Sequence, residues 1–112
     1  MDLLENIKII LNLDENDFRD KEPLLDVLLN NAMNTIIVYL GIKDNKFPEA
    51  LNFIAIELAV ARYRKIGAEG ISTEKIDEIS TTYSINDLNR YKDVLNIYKD
   101  NNGHSGKKLK TL

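Results

Sequence analysis

The segment Phe47–Gly70, FPEALNFIAIELAVARYRKIGAEG, decides the fold, because its start, apolar body and stop are all written in the sequence. Pro48 suits a first helical position, where its missing N–H costs nothing, and Glu49 beside it favours the positive end of a helix dipole. Arg62, Arg64 and Lys65 fall in the last turn and Gly67 reads as a left-handed cap. A helix from Pro48 to Ile66 is therefore predicted, roughly 28 Å long at ~1.5 Å per residue. Between Phe53 and Ala61 only Glu57 is polar, so apolar side chains leave this helix in almost every direction. A helix apolar all round is buried all round. Glu57, Asn52 and the arginines interrupt the run too early for a membrane span. Other helices, of this chain or of a neighbouring copy, must cover it, and Ala55 and Ala59, one turn apart, allow close approach on one side.

On the N-terminal side, Lys21–Leu40 reads as a second long helix, with Asp20 as cap, Pro23 in the first turn and Gly41 as the stop. Leu25, Leu28, Leu29, Ala32, Met33, Ile36, Ile37 and Leu40 keep helical spacing, while Asp26, Asn30, Asn31 and Asn34 make the other face polar. The short connection Ile42–Lys46 makes the two helices antiparallel neighbours. Before them, Asp2 followed by Glu5 resembles a capping box, and Leu3, Ile7, Ile10 and Leu11 predict a short helix over Leu3–Leu11. Leu13–Arg19 reads as a polar, turn-like linker. Its acids lack the alternation, the central glycine and the distal glutamate of an EF-hand.

On the C-terminal side the helical period stops. Gly70–Ser84 is rich in β-branched residues, and Ile79, Thr81, Tyr83 and Ile85 would share one face of a strand. An extended arm or loose hairpin turning near Lys75–Glu78 is expected, needing a partner to become ordered. A last helix follows from Ile85 or Asn86 to Asp100, capped by Ser84 or Asn86, with Leu88, Tyr91, Leu95 and Tyr98 on one stripe and Gly103 as its end. The tail from Asn101 is basic, polar and short, and reads as flexible.

Length, 112 residues, bounds the chain to one domain, and 44% hydrophobic residues suffice for one modest core. The absence of cysteine removes disulfides, thiolate metal sites and a cysteine nucleophile. The net charge is −3; three lysines and no acids lie beyond Asp100, leaving 12 basic and 18 acidic residues in the body, a net −6. That balance argues against a general nucleic-acid binder, which needs a basic face to displace counterions. The N-terminus shows no basic stretch, apolar run and small-residue cleavage site, so a cytoplasmic protein is expected. His104 lies in the tail read as flexible, and a catalytic base needs a rigid frame that holds it to its proton donor, so no catalytic role is expected for it. There is no glycine-rich phosphate loop, no HExxH and no histidine pair, so neither an enzyme nor a cofactor or metal site is expected. Glu57 has Phe53, Val60 and Ala61 at helical spacing, and none can pair with it. It either lies on the one exposed strip of its helix, with Arg64 two turns on, or meets another subunit. Arg62, Arg64 and Lys65 suit a helix C-terminus for dipole reasons before any phosphate site needs invoking.

The junction Ala61–Ser84, ARYRKIGAEGISTEKIDEISTTYS, resembles the tailed-phage head–tail connector family of small helical adaptors, often described as DNA-packaging proteins of prophages. The resemblance lies in short N-terminal helices, a long helix ending in Arg62, Tyr63 and Arg64, and a glycine–glutamate–glycine step at Gly67, Glu69 and Gly70. A Ser/Thr-rich arm closing on a tyrosine, Ser80, Thr81, Thr82 and Tyr83, precedes a final helix. It implies an all-α bundle of about four helices around the long central one, spanning residues 1–100 with an arm at 70–84 and a tail at 101–112. It further implies a structural subunit of a homo-oligomeric ring of about a dozen copies beneath the portal protein, through whose channel DNA passes without sequence-specific binding. A tail-side connector or tail protein on the other face, a place in the virion after assembly in the host cytoplasm, and no membrane association also follow. On that reading Glu57, Arg62, Tyr63 and Arg64 are subunit-interface candidates. Glu69, Gly70, Ser80, Thr81, Thr82 and Tyr83 belong to the arm or channel loop, and Lys107, Lys108, Leu109, Lys110 and Leu112 dock on the portal. A competing reading is a small helical DNA-binding or regulatory module that uses Arg62, Arg64, Lys65 and the lysine tail. A third is a toxin–antitoxin or anti-repressor partner.

Overall fold

The computed structural model describes residues 2–68, 76 and 78–101. Every regular element among them is helical: α1 (Leu3–Leu11), α2 (Glu15–Leu40), α3 (Asn52–Ala68), α4 (Glu78–Thr81) and α5 (Lys92–Asn101). Short 3₁₀ segments, Glu49–Leu51 and Ile85–Tyr91, lead into α3 and α5. The all-α bundle expected around the Phe47–Gly70 segment is thus the fold.

α1 starts where the sequence places it, the Asp2 carboxylate accepting from the Leu4 N–H at 3.0 Å. Asn12, in the left-handed region at φ 57°, ends it. α2 begins six residues earlier than predicted. Asp14, not Asp20, is its cap, accepting from the Asp17 N–H at 2.7 Å, and Glu15–Arg19 is helix rather than linker. Lys8 pairs with Glu15 across the α1–α2 junction, and half-buried Phe18 packs on the core, so the polar-looking stretch has tertiary contacts that favour helix. Pro23 accordingly sits inside α2, where it removes one backbone hydrogen bond. Gly41 stops the helix as expected, at φ 72°, with the N–H groups of Gly41 and Ile42 closing on Val38 and Ile37.

Pro48 caps the 3₁₀ turn with extended backbone, so α3 proper starts at Asn52. The predicted cap at Gly67 is not one. α3 continues through it to Ala68, and Gly41 is the glycine with positive φ among the described residues. Within α3, Ile54, Ala55, Ile56, Leu58, Ala59 and Val60 are buried. The longest interhelical contact joins α3 to α2, α1 packs on both, and α5 closes the bundle against α2. Ile7, Leu25, Leu28, Leu29, Ile36 and Leu40 meet this face, with Leu88 and Leu95 sealing it. Burying each such leucine or isoleucine contributes about 1.5–3 kcal/mol, which is why the core dominates stability. By length and composition α2 could cross a membrane, yet its apolar stripe, Leu25 to Leu40, is covered by the chain's own helices, as in the core helix of a bundle.

The expected arm or loose hairpin is corrected. Residues 69–75 and 77, with Glu69, Gly70 and the Lys75–Glu78 turn, lie outside the described residues apart from Ile76 and the backbone of Glu78. The part described is not strand: Glu78–Thr81 is a helical turn and Ile85–Tyr91 is 3₁₀. Its carbonyls are taken by side chains of α2 and α3 instead of by a sheet partner.

Candidate functional site

Arg62 organises the C-terminal half of the molecule. Six residues before the end of α3, its guanidinium donates to the Ser80 carbonyl at 2.8 Å and to the Thr82 carbonyl at 2.7 Å. It also reaches the Asp87 carboxylate at 3.4 Å and lies 4.7 Å from the centre of the Tyr83 ring. Only the planar five-donor fork of arginine can serve carbonyls, a carboxylate and an aromatic face at once. From the other side, the Asn31 amide of α2 donates to the Thr81 carbonyl at 2.7 Å. Three successive carbonyls, 80 to 82, are therefore held by two long helices. Tyr83 donates to the Leu58 carbonyl at 3.4 Å, and burial pushes its phenol well above the usual range. Asp87 accepts from the Ser84 N–H at 2.8 Å and returns its own N–H to the Ser84 carbonyl at 3.0 Å, so it starts the 3₁₀ segment while neutralising Arg62.

A second feature is the outer strip of α3. Glu57 is exposed and accepts from the Tyr91 hydroxyl at 2.7 Å. Burial first, and this hydrogen bond second, push the Tyr91 phenol up to about 12. Glu57 and Arg64 lie together on the exposed outer strip of α3.

Of the residues singled out from the sequence, Arg62, Ser80, Thr81, Thr82 and Tyr83 are brought together, as one clamp. Glu57 and Arg64 lie on the outer strip. Half-buried Tyr63 faces α2, lining a depression with Lys21 and Leu24. Lys107, Lys108, Leu109, Lys110, Leu112 and His104 lie outside the described residues. Sequence reasoning missed three participants. Asp87 was legible as the acid three residues after Ser84, a capping-box spacing. Asn31 gave no signal beyond a polar helix face. Tyr91 shares one stripe with Leu88, Leu95 and Tyr98 in the sequence, which carries no sign of its hydroxyl's partner, Glu57.

This arrangement engages Arg62 within its own chain. Its cation is matched by Asp87 and by carbonyls, and among the described residues no cluster of three metal-ligating side chains exists. The site fixes where the last helix starts relative to α3.

Comparison with curated proteins and with solved structures gives no significant match. The family model described as Phage gp6-like head-tail connector protein, in contrast, matches residues 1–99. With most of its length matched and an all-helical fold, the chain belongs to the phage gp6-like head-tail connector family.

Proposed function

We propose that the chain is a structural, non-enzymatic subunit of the phage head–tail connector. About a dozen copies form a ring beneath the portal and extend the channel through which DNA enters and leaves the head. The observation that carries this reading is the family match over residues 1–99. The acidic body, net −6 before the tail, supports it, because a wall that bound phosphates tightly would stall a passing duplex. In this reading Glu57, Arg62, Tyr63 and Arg64 bring the end of α3 to a neighbouring subunit, and the segment that contains Glu69, Gly70 and Ser80–Tyr83 lies at the channel or the next copy. Lys107, Lys108, Leu109, Lys110 and Leu112 dock on the portal, with charge to steer association and two leucines to hold it. The opposite face of the ring meets a tail-side connector or tail protein, placing the protein at the head–tail interface of the virion after assembly in the host cytoplasm.

Against the DNA-binding alternative, which would use Arg62, Arg64, Lys65 and the lysine tail, stands the Arg62 guanidinium, engaged within the chain. Co-sedimentation of the protein with portal rings tests the proposal. Binding that saturates at a fixed stoichiometry and weakens on removal of residues 106–112 is expected. No binding at any concentration, together with salt-dependent binding to duplex DNA, would reverse it.

A further inference from the structure

α3 is not wholly covered by its own chain. Phe53, Glu57, Ala61 and Arg64 follow at helical spacing and all four are exposed, Phe53 to 47%. α1 borders this strip through Ile10, itself 48% exposed, and the 3₁₀ segment borders it through Arg90 and Tyr91. Ile10, Glu57, Arg64, Arg90 and Tyr91 help to line a depression of about 260 Å³ there. With these two neighbours on its flanks, the strip is open from Phe53 to Ala61, and at its Arg64 end it also borders α2 of the same chain, where Arg64 lines a depression with Lys21 and Leu24.

α2 has an uncovered stripe of its own. Asn16, Asp20, Pro23, Val27, Asn34 and Val38 are exposed along the side opposite buried Leu25, Leu28, Ala32 and Ile36. The two exposed faces are therefore unlike, the α3 strip carrying Phe53 and Arg64 and the α2 stripe carrying Asp20, Val27 and Val38. A two-fold dimer sets one patch against itself, so unlike faces serve a head-to-tail contact.

The geometry points to a second copy of this chain as the occupant of the α3 strip, with the outer stripe of its α2 laid antiparallel along Phe53–Arg64. This rests on the ring reading and states which faces carry it. Charge supports the pairing. Arg64 and Arg90 have no ion-pair partner among the described residues, and Glu57 already takes the Tyr91 hydroxyl. On the outer stripe of α2 the acid is Asp20; its ion pair with neighbouring Lys21, at 3.5 Å, is solvent-exposed and weak, which leaves the carboxylate able to take a second cation. Antiparallel packing then sets the register. Asp20 to Val27 and Arg64 back to Glu57 are both seven residues, about 10.5 Å of helix. With Asp20 set between Arg64 and Arg90, Val27 comes level with Glu57, beside the Ile10 that lines the same depression. Asn34, an amide and not an acid, then follows towards Phe53.

The full chain contains no cysteine, so introduced pairs report contacts without background. Under mild oxidation at an assembling concentration, the double variant Ile10→Cys with Val27→Cys is expected to give a ladder of covalent dimers, trimers and higher species, because each copy offers both halves of the bond. Each single variant is expected to stay monomeric on a denaturing gel, and a mixture of the two to stop at dimers. In parallel, Asp20→Arg is expected to raise the concentration for half-assembly about tenfold, and adding Arg64→Asp in the same chain to recover most of it. Circular dichroism of each variant confirms folding. Rings that form without the ladder and without the charge effect overturn these faces while leaving the ring reading standing. A native protein that never assembles overturns both. Covalent dimers from Val27→Cys alone, marking a two-fold contact, overturn the head-to-tail pairing.

Discussion

Arg62 and Tyr83 are stacked, the guanidinium 4.7 Å from the ring centre, while the same guanidinium donates to the carbonyls on either side of Thr81. One side chain thus holds the entry to the last helix. Arg62→Ala removes the guanidinium from two carbonyls, from the Tyr83 ring and from Asp87, which keeps the Ser84 N–H, and is expected to cost about 2–4 kcal/mol by denaturant unfolding. Arg62→Lys, which keeps the charge but not the fork, is expected to lose more than half as much. Loss of hydrogen-exchange protection in α5 before α2 would accompany both.

Two glycines separate backbone conformation from space. A Cβ at Gly41 or at Gly67 meets nothing within 4 Å, yet Gly41 has φ 72° and Gly67 is helical. Gly41→Ala is therefore expected to destabilise by about 1 kcal/mol and Gly67→Ala to stabilise by about 0.5 kcal/mol. Thermal melts of the two variants should move in opposite directions.

The outermost cap predicts a third effect. Asp14→Ala removes the acceptor for the Asp17 N–H and is expected to cost about 1 kcal/mol. Asp20→Ala, at the site the sequence suggested for the cap, is expected to change stability by less than about 0.5 kcal/mol.

Alkaline pH supplies a fourth. The Tyr91 phenol is raised to about 12 from its ordinary 10.0, by burial and then by the hydrogen bond to Glu57. A group raised in the folded state stabilises it fully below the unfolded value, so stability falls as pH climbs from about 10 through 12. Tyr83, raised by burial, acts in the same direction. Tyr91→Phe should flatten this alkaline loss in unfolding midpoints, with no change in its pH slope near neutrality.

The body of the fold was legible because the helical period and the left-handed stop at Gly41 are local properties. Leu25 to Leu40 and Ile54 to Val60 could be assigned from spacing alone, and they form the core. The misreadings fall where a distant residue decides. Glu15–Arg19 looked like a turn by composition, but Lys8 and the packing of Phe18 favour helix. Ile79–Ile85 carries strand propensity, yet Arg62 and Asn31 take the carbonyls a sheet would have needed. Gly67 resembled a cap because basic residues precede it, and α3 runs one residue further. In the candidate site, Arg62 was visible as a residue of interest but not its partners, which lie 18 to 25 residues on.

The most direct measurement is the mass and shape of the native protein across concentration, with and without portal, by sedimentation and electron microscopy. A closed ring of about a dozen copies, favoured at high concentration or on the portal, is the expected result. A monomer at every concentration, or a tight symmetric dimer that never closes into rings and ignores the portal, would contradict it.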